Sequence, residues 1–342
     1  MNLFYPSHDI ALGNGVKHFN PPFAALRLQE DLADLSKIWN ADGSIIPWAW
    51  DYDTRSYINK EYKIKLKDLP SDEDLQNLRE LSSRKTTIDI IRQLKKLSDD
   101  FDRIKVPSYI DSEEKLRDII ENQKNFVLKM PWSSSGRGLS RSDVWTKESL
   151  LNHGLSTIRK MGGIIAEQWY NKIQDFAMLF YIGKEKIDFI GYSLFDNDDS
   201  GTYRSGKLMS NEMIEASLPP VCSNIQVMLT DILKRLFSPF MNKPWEIGYI
   251  GIDMMIAEED DTYFIHPCIE MNLRCTMGVV ARLYYDKNCT EDMIGDFYIT
   301  PAMDNEKLIE LDSNLNNIYK NKYRRLTDIG KDSMFMAYAV FA

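Results

Sequence analysis

Cysteine and histidine are scarce in this chain of 342 residues, at four each. None of the cysteines (Cys222, Cys268, Cys275, Cys289) forms a CxxC pair or stands at metal-ligand spacing from a histidine, which excludes zinc-ribbon and thiol–disulfide patterns. Cys268 and Cys275 read instead as small packing residues. No apolar run approaches the roughly 18 residues of a membrane span, and no basic-plus-apolar leader opens the chain. The expectation is therefore a cytoplasmic protein with reduced thiols and no membrane partner. The net charge is −9 and no local basic stripe relieves it, so no nucleic-acid footprint is expected. Repeats and low-complexity tracts are absent as well. What remains is an ordinary globular composition, 44% hydrophobic and 27% charged, long enough for two or three compact units.

The stretch from Gly248 to Gly278 is the most informative. Tyr249 to Ile256 is an apolar run interrupted by Asp253, Glu258 to Asp261 is an acidic turn, and Thr262 to Ile269 is a second apolar run ending in Glu270-Met271-Asn272-Leu273-Arg274. Two such runs around a polar turn predict a β-hairpin. Side chains alternate faces along a strand, so Glu270 and Asn272 share one side and Met271 the other. With Asp253 on the neighbouring strand, these are the hard oxygen ligands a Mg²⁺ site needs, few enough to leave room for phosphate. His266-Pro267 removes a ladder donor, which predicts an edge or a bulge there.

Elsewhere, a short strand runs into Pro6 and a loop holding His8 and Asp9, which read either as pocket residues or as an N-cap beside a surface histidine. Phe23 to Trp39 has helical spacing. Gly43 to Trp50 reads as a turn and an aromatic strand, with Trp48, Trp50 and Tyr52 recurring at period two as core residues. Helices are expected at Asp72 to Arg79, at Thr87 to Leu97 with Thr86 or Thr87 as cap, and at Ser112 to Asn122. Lys147 to Met161 should be a helix stopped by Gly162-Gly163, and Ser223 to Phe237 another helix. Phe176 to Ile182 and Ile187 to Phe195 read as paired antiparallel strands. The apolar end, Met334 to Ala342, should tuck onto a sheet.

Lys129 closes a strand, Asn125 to Lys129, and Ser133-Ser134-Ser135-Gly136-Arg137-Gly138 follows. Backbone N–H groups of so small-sided a loop can surround phosphate oxygens, with Lys129 and Arg137 adding charge. The GxxxxGK[ST] spacing of a P-loop is absent, and a serine-rich surface turn is the plain alternative. Glu167-Gln168-Trp169 ends another strand, where backbone groups could pair with an adenine edge and Asp175 with ribose hydroxyls.

In this order, a strand lysine, a small-residue loop, a strand-end glutamate, a carboxylate eight residues on and a hairpin bearing Asp … Glu-x-Asn-x-Arg, the chain resembles the ATP-grasp superfamily over roughly residues 80 to 300. The resemblance implies an α+β fold in which two subdomains grip a nucleotide. It implies an N-terminal α/β substrate domain over 1–100, a small subdomain with the phosphate loop over 101–165, a large subdomain with the metal site over 166–300 and a C-terminal extension over 301–342. It further implies Lys85 and Lys129 as phosphate-binding lysines, and Ser133 to Gly138 (Ser133, Ser134, Ser135, Gly136, Gly138) as the loop over the phosphates. Glu167, Gln168 and Trp169 would be the adenine hinge and Asp175 the ribose carboxylate. Asp253, Glu270 and Asn272 would hold Mg²⁺, two ions bridged by Glu270. Lys129, Arg137 and Arg274 would be catalytic, Arg274 holding the acceptor carboxylate or acyl phosphate, and Arg204 or Lys207 would add a γ-phosphate contact. The function implied is an ADP-forming carboxylate–amine ligase using ATP and Mg²⁺ on small-molecule acids and amines, with room for a homodimer. A small-molecule kinase with the same grasp, or a nucleotide-binding module without turnover, are the alternatives.

Overall fold

The computed structural model describes residues 3–40, 42–133, 138–197, 203–219 and 224–342. The N-terminal part is helical, with α1 (His8–Asn14), α2 (Phe23–Asp31), α3 (Ser36–Trp39), α4 (Tyr52–Glu61), α5 (Asp72–Leu81) and α6 (Lys85–Leu97). Ser71 and Asp74 start α5 with a reciprocal capping box, which satisfies two orphan N–H groups at once. The single helix expected from Phe23 to Trp39 is broken at Leu32 by a 3-10 turn, Ala33–Leu35. The Asp31 carboxylate at that break accepts from the N–H groups of Met334 (2.7 Å) and Phe335 (3.1 Å), so the helix end is tied to the C-terminal strand. Thr86 and Thr87 do not cap α6, because the helix already starts at Lys85.

The strands expected before Pro6 and over residues 43–50 do not form, and the N-terminal α/β unit has no strand among the described residues before Ser108. The two extended pieces meet through one bond, the Trp48 N–H donating to the Leu3 carbonyl at 2.7 Å, and the Trp48 carbonyl accepts from the Cys275 N–H at 2.7 Å. Single bridges of this kind satisfy the backbone without building a ladder. Trp48 and Trp50 are buried, as their spacing suggests, but in separate clusters, Trp48 against Phe4 and Trp39, Trp50 against Trp245.

Four antiparallel strands, β1 (Ser108–Ile110), β2 (Phe126–Lys129), β3 (Leu139–Arg141) and β4 (Ile164–Gln168), form a small sheet in the order β1-β4-β2-β3. Helices α7 (Glu113–Asn122) and α8 (Lys147–Met161) pack on it through Leu116, Ile120 and Leu150 against Phe126 and Leu128. Ser112 caps α7 and Gly162, at φ 81°, ends α8 as read from sequence. Strand alternation then turns Lys129 and Glu167 to the face away from these helices.

The large sheet holds β5 (Asn171–Ile182), β6 (Ile187–Asn197), β7 (Tyr203–Leu208), β8 (Gly248–Glu259), β9 (Thr262–Asn272), β10 (Gly295–Pro301), β11 (Tyr323–Arg325) and β12 (Phe335–Phe341). Their order is β11-β12-β10-β7-β6-β5-β8-β9, so the C-terminal strand is paired within the sheet. Between them run α9 (Asn211–Ser217), α10 (Ile225–Phe237), α11 (Met277–Asn288) and α12 (Asn305–Tyr319). Residues of α5, α6 and α10 share one core with the sheet, and residues of α11 share another with Phe4, Trp39 and Trp48.

The β8–β9 hairpin forms as expected, with a shorter turn. Its strands run on through Glu259 and Thr262, leaving Asp260 and Asp261 at φ 52° and 56°, the two-residue geometry in which Asp is tolerated. Strand β9 is the sheet edge, and it is bulged at the proline: Met255 pairs with His266 but Asp253 pairs with Glu270, so residues 267–269 oppose Met254 alone. Beneath the hairpin, fully buried Ile252 stands opposite Met271. Ile252→Ala should lower the unfolding free energy by about 2–5 kcal/mol with an unchanged denaturant slope in urea melts. A loss below ~1 kcal/mol would mean that this floor is not close-packed.

Candidate functional site

The bulge places Asp253 and Glu270 side by side, and Asn272 opposite Gly251 on the same face. The Asn272 Nδ2 donates to Asp253 Oδ2 at 2.9 Å, and Arg274 donates from its Nη2 to Asn272 Oδ1 at 3.0 Å. Arg274 Nε donates to Asp9 Oδ2 at 2.8 Å, so the hairpin end is clamped to the first turn of α1. Burial, and then the Glu270 carboxylate beside it, push the Asp253 carboxyl up to about 7, against the Asn272 hydrogen bond. Two carboxylates side by side repel each other, which a divalent cation would relieve, and Asn272 would add its oxygen once its amide, now bonded through Nδ2 to Asp253 and through Oδ1 to Arg274, is turned. Asp253, Glu270 and Asn272 therefore fit a hard cation. No cluster of three or more His, Cys, Asp or Glu side chains is found among the described residues, so the set consists of two carboxylates and one amide.

Lys129, 5% exposed, does not stand free at its strand end: its Nζ donates to Glu167 Oε1 at 2.7 Å inside the protein. His266 Nε2 lies 3.8 Å from the same oxygen, and burial, reinforced by Lys129 against the pull of Glu167, pushes this imidazole down to about 4. The histidine stays neutral, and neither of its ring nitrogens has a hydrogen-bond partner. Of the loop, Ser133 and Gly138 are described, while Ser134, Ser135, Gly136 and Arg137 lie outside the described residues. Gly138, at φ 77°, passes so close to Met130 that a Cβ would sit 2.3 Å from its sulfur.

Sequence reasoning missed Arg84. Its guanidinium donates to the Met130 carbonyl (2.8 Å), to Ser133 Oγ (2.7 Å) and to Glu270 Oε2 (2.7 Å), joining the root of the loop to the carboxylate pair. Lys85, the residue expected here, is one position further along α6 and is exposed, with its Nζ 4.7 Å over the Tyr109 ring. Successive helical residues point about 100° apart, so one step separates the two environments. The Ser-Arg-Lys triplet was the available signal for Arg84.

At the hinge, Trp169 donates its N–H to the Asn125 carbonyl at 2.6 Å and lies under Arg141, whose guanidinium carbon is 4.2 Å from the ring centroid. Gln168 accepts from Lys105 Nζ at 2.9 Å, a second contact that the reading did not anticipate. Asp175 pairs with Lys172 and is near enough to Asp253 to add to its upward shift. Lys207 is held by Asp296 at 2.7 Å on β10. The structure thus brings together Lys129 with Glu167, Ser133 with Glu270 through Arg84, and Glu270 with Asp253, Asn272 and Arg274 along the hairpin end; it does not bring Lys85 or Lys207 to them. A small cleft adjoins this group and is lined by His8, Asp9, Trp132, Ser133, Glu270 and Asn272 among others.

No family model matches the chain. No curated protein matches it either. Solved structures do. The N5-carboxyaminoimidazole ribonucleotide synthetase PurK, in an ADP complex, is 10% identical over 85% of this chain and 73% of that one, at a TM-score of 0.51. The biotin carboxylase of Campylobacter jejuni, in a beta-gamma-ATP complex, is 11% identical over 86% and 70%, at a TM-score of 0.50. Both are ATP-grasp enzymes. Identities this low speak to the fold alone.

Two stability predictions follow from the buried charges. Asp253 is raised in the folded state, so the neutral form is favoured there: its stabilising contribution is full below about pH 4 and is lost as pH rises through about 7. Asp253→Asn should therefore melt above the parent at pH 8, by an amount on the order of 2–4 kcal/mol, and the gap should close as pH falls toward 4. A gap independent of pH would contradict the shared carboxylate site. Lys129→Met leaves Glu167 buried without its partner and should cost about 3–5 kcal/mol, most of it recovered in Lys129→Met/Glu167→Leu. Equal melting of the single and double variants would mean the pair is not desolvated.

Proposed function

We propose that this chain, which has the ATP-grasp fold, is an ATP-dependent, ADP-forming ligase that joins a small-molecule carboxylate to an amine through an acyl phosphate. The observation that carries the reading is the juxtaposition at the end of β9: Glu270 opposite Asp253, Asn272 bonded to Asp253, and Arg274 bonded to Asn272, all beside Ser133 at the root of the loop. The ADP and beta-gamma-ATP complexes of the two fold neighbours support a nucleotide as ligand.

Phosphoryl transfer asks for positioning and charge stabilisation more than for covalent chemistry from the protein. Held by Asp253, Glu270 and Asn272, magnesium would offset the charge of the terminal phosphates. Lys129 exchanges its Glu167 partner for phosphate oxygens, and Arg84 fixes Glu270 against the loop root. The hinge from Glu167 to Trp169, with Asp175, takes the nucleoside. Arg274, whose planar fork suits a carboxylate, orients the acid beside the γ-phosphate. The attacking carboxylate oxygen takes the phosphoryl group, and the amine then displaces phosphate.

A coupled screen with pooled carboxylates and amines tests this. ADP and phosphate should appear together, and only when an acid and an amine are both present. ADP without free phosphate would assign the site to phosphoryl transfer onto a hydroxyl instead. Glu270→Ala should reduce turnover at least ~100-fold. A variant that keeps parental turnover would remove the carboxylate pair from the mechanism.

A further inference from the structure

We propose that His8, held by Asp51, is the proton acceptor for the amine in the coupling step. The inference rests on the ligase reading above and adds a catalytic residue to it.

His8 opens α1 and is 3% exposed, yet it lines two small clefts that share Leu12, Ser82 and Leu273. One cleft carries Trp50, Leu78 and Arg79; the other carries Ser133, Glu270 and Asn272. His8 thus shares a cleft with Ser133 at the loop root and with Glu270 and Asn272 at the end of β9. Its orientation is set by Asp51. Asp51 caps α4, its Oδ1 accepting from the Thr54 N–H at 2.7 Å, and its Oδ2 is 3.0 Å from His8 Nδ1. A carboxylate at that nitrogen keeps the proton on Nδ1, so in the neutral ring Nε2 carries the lone pair. The same carboxylate stabilises the imidazolium once Nε2 has taken a proton.

The surrounding charges complete the arrangement. Asp9, next in sequence, holds Arg274 at 2.8 Å, and Glu270 is held by Arg84 at 2.7 Å. Arg79 donates from Nε and Nη2 to the Leu12 carbonyl at 3.2 and 3.0 Å, with its guanidinium carbon 4.0 Å over the Trp132 ring. Each of these charges has a partner of its own, while Asp51 is the partner of His8. In the coupling step the amine nitrogen donates its lone pair to the acyl carbon, the C–O bond to phosphate breaks, and phosphate leaves with that electron pair. The nitrogen's surplus proton passes to Nε2 and from there to solvent.

Hydroxylamine separates this role from a structural one, because it is largely unprotonated at neutral pH and attacks acyl phosphates with little need of a base. With the proteinogenic amino acids supplied as acids and amines, His8→Gln should lower amide formation by roughly 10²–10⁴-fold. Hydroxamate formation from the same acid pool, and the KM for ATP, should stay within about threefold of the parent. Asp51→Asn should lower amide formation in the same selective way, and free imidazole should restore part of it to His8→Ala. Equal loss of amide and hydroxamate, or no loss of either, overturns the assignment. A parent that forms neither product removes the ligase reading and this proposal with it, whereas a parent and a His8→Gln variant that couple equally well remove the role of His8 alone.

Discussion

The carboxylates of Asp253 and Glu270 face each other because three residues, 267–269, are set against one, Met254, across the β8–β9 ladder. A regular hairpin would set Cys268 opposite Asp253 and Glu270 opposite Gly251, on the same face but two residues further along, so the two extra residues are what bring the carboxylates abreast. Pro267 is tolerated because β9 is the sheet edge, where a missing N–H breaks no second ladder. Everything else at the site is arranged around that pair. Arg84 bonds Glu270 from α6, Asn272 bonds Asp253 along the strand, and Arg274 reaches from the strand end to Asp9.

A second regularity follows from burying so much charge in one place. Lys129 is matched by Glu167, Arg84 by Glu270, and Arg274 by Asp9. Desolvated cations without such partners would cost several kcal/mol each, so internal carboxylates occupy the positions that an anionic ligand would otherwise take. Asp253 is the member left without a cation bonded to it directly, and it is the one whose carboxyl is driven upward. On the proposed reading, a nucleotide would bind here by exchanging ion pairs and not by filling an empty cationic pocket.

Most of the regular elements could be read in the sequence because their signals are local. The hairpin, the paired strands β5 and β6, the capped α7 and the glycine-stopped α8 each rest on spacing, caps or turns within a dozen residues. The face shared by Glu270 and Asn272 was legible for the same reason, since parity is a property of one strand. The misreadings came where distant backbone decides. Trp48 looked like part of a strand, but its carbonyl and N–H are spent on Cys275 and Leu3. Arg84 was missed for the same reason, since its partners Ser133 and Glu270 lie 49 and 186 positions away.

The sequence by itself determined which chemistry was available: oxygen donors at 253, 270 and 272, a lysine ending β2, a small-residue loop after it, and an arginine two residues beyond Asn272. Local hydrogen bonding and side-chain alternation are enough to specify those. Only the tertiary structure decided which of them meet. The bulge that sets Asp253 against Glu270 is one such decision; the reach of Arg84 to Glu270 from the start of α6, the closure of Arg274 on Asp9 and the pairing of His8 with Asp51 join residues from 43 to 265 positions apart. No pattern within a single element records such contacts, because they follow from how the sheets and helices pack.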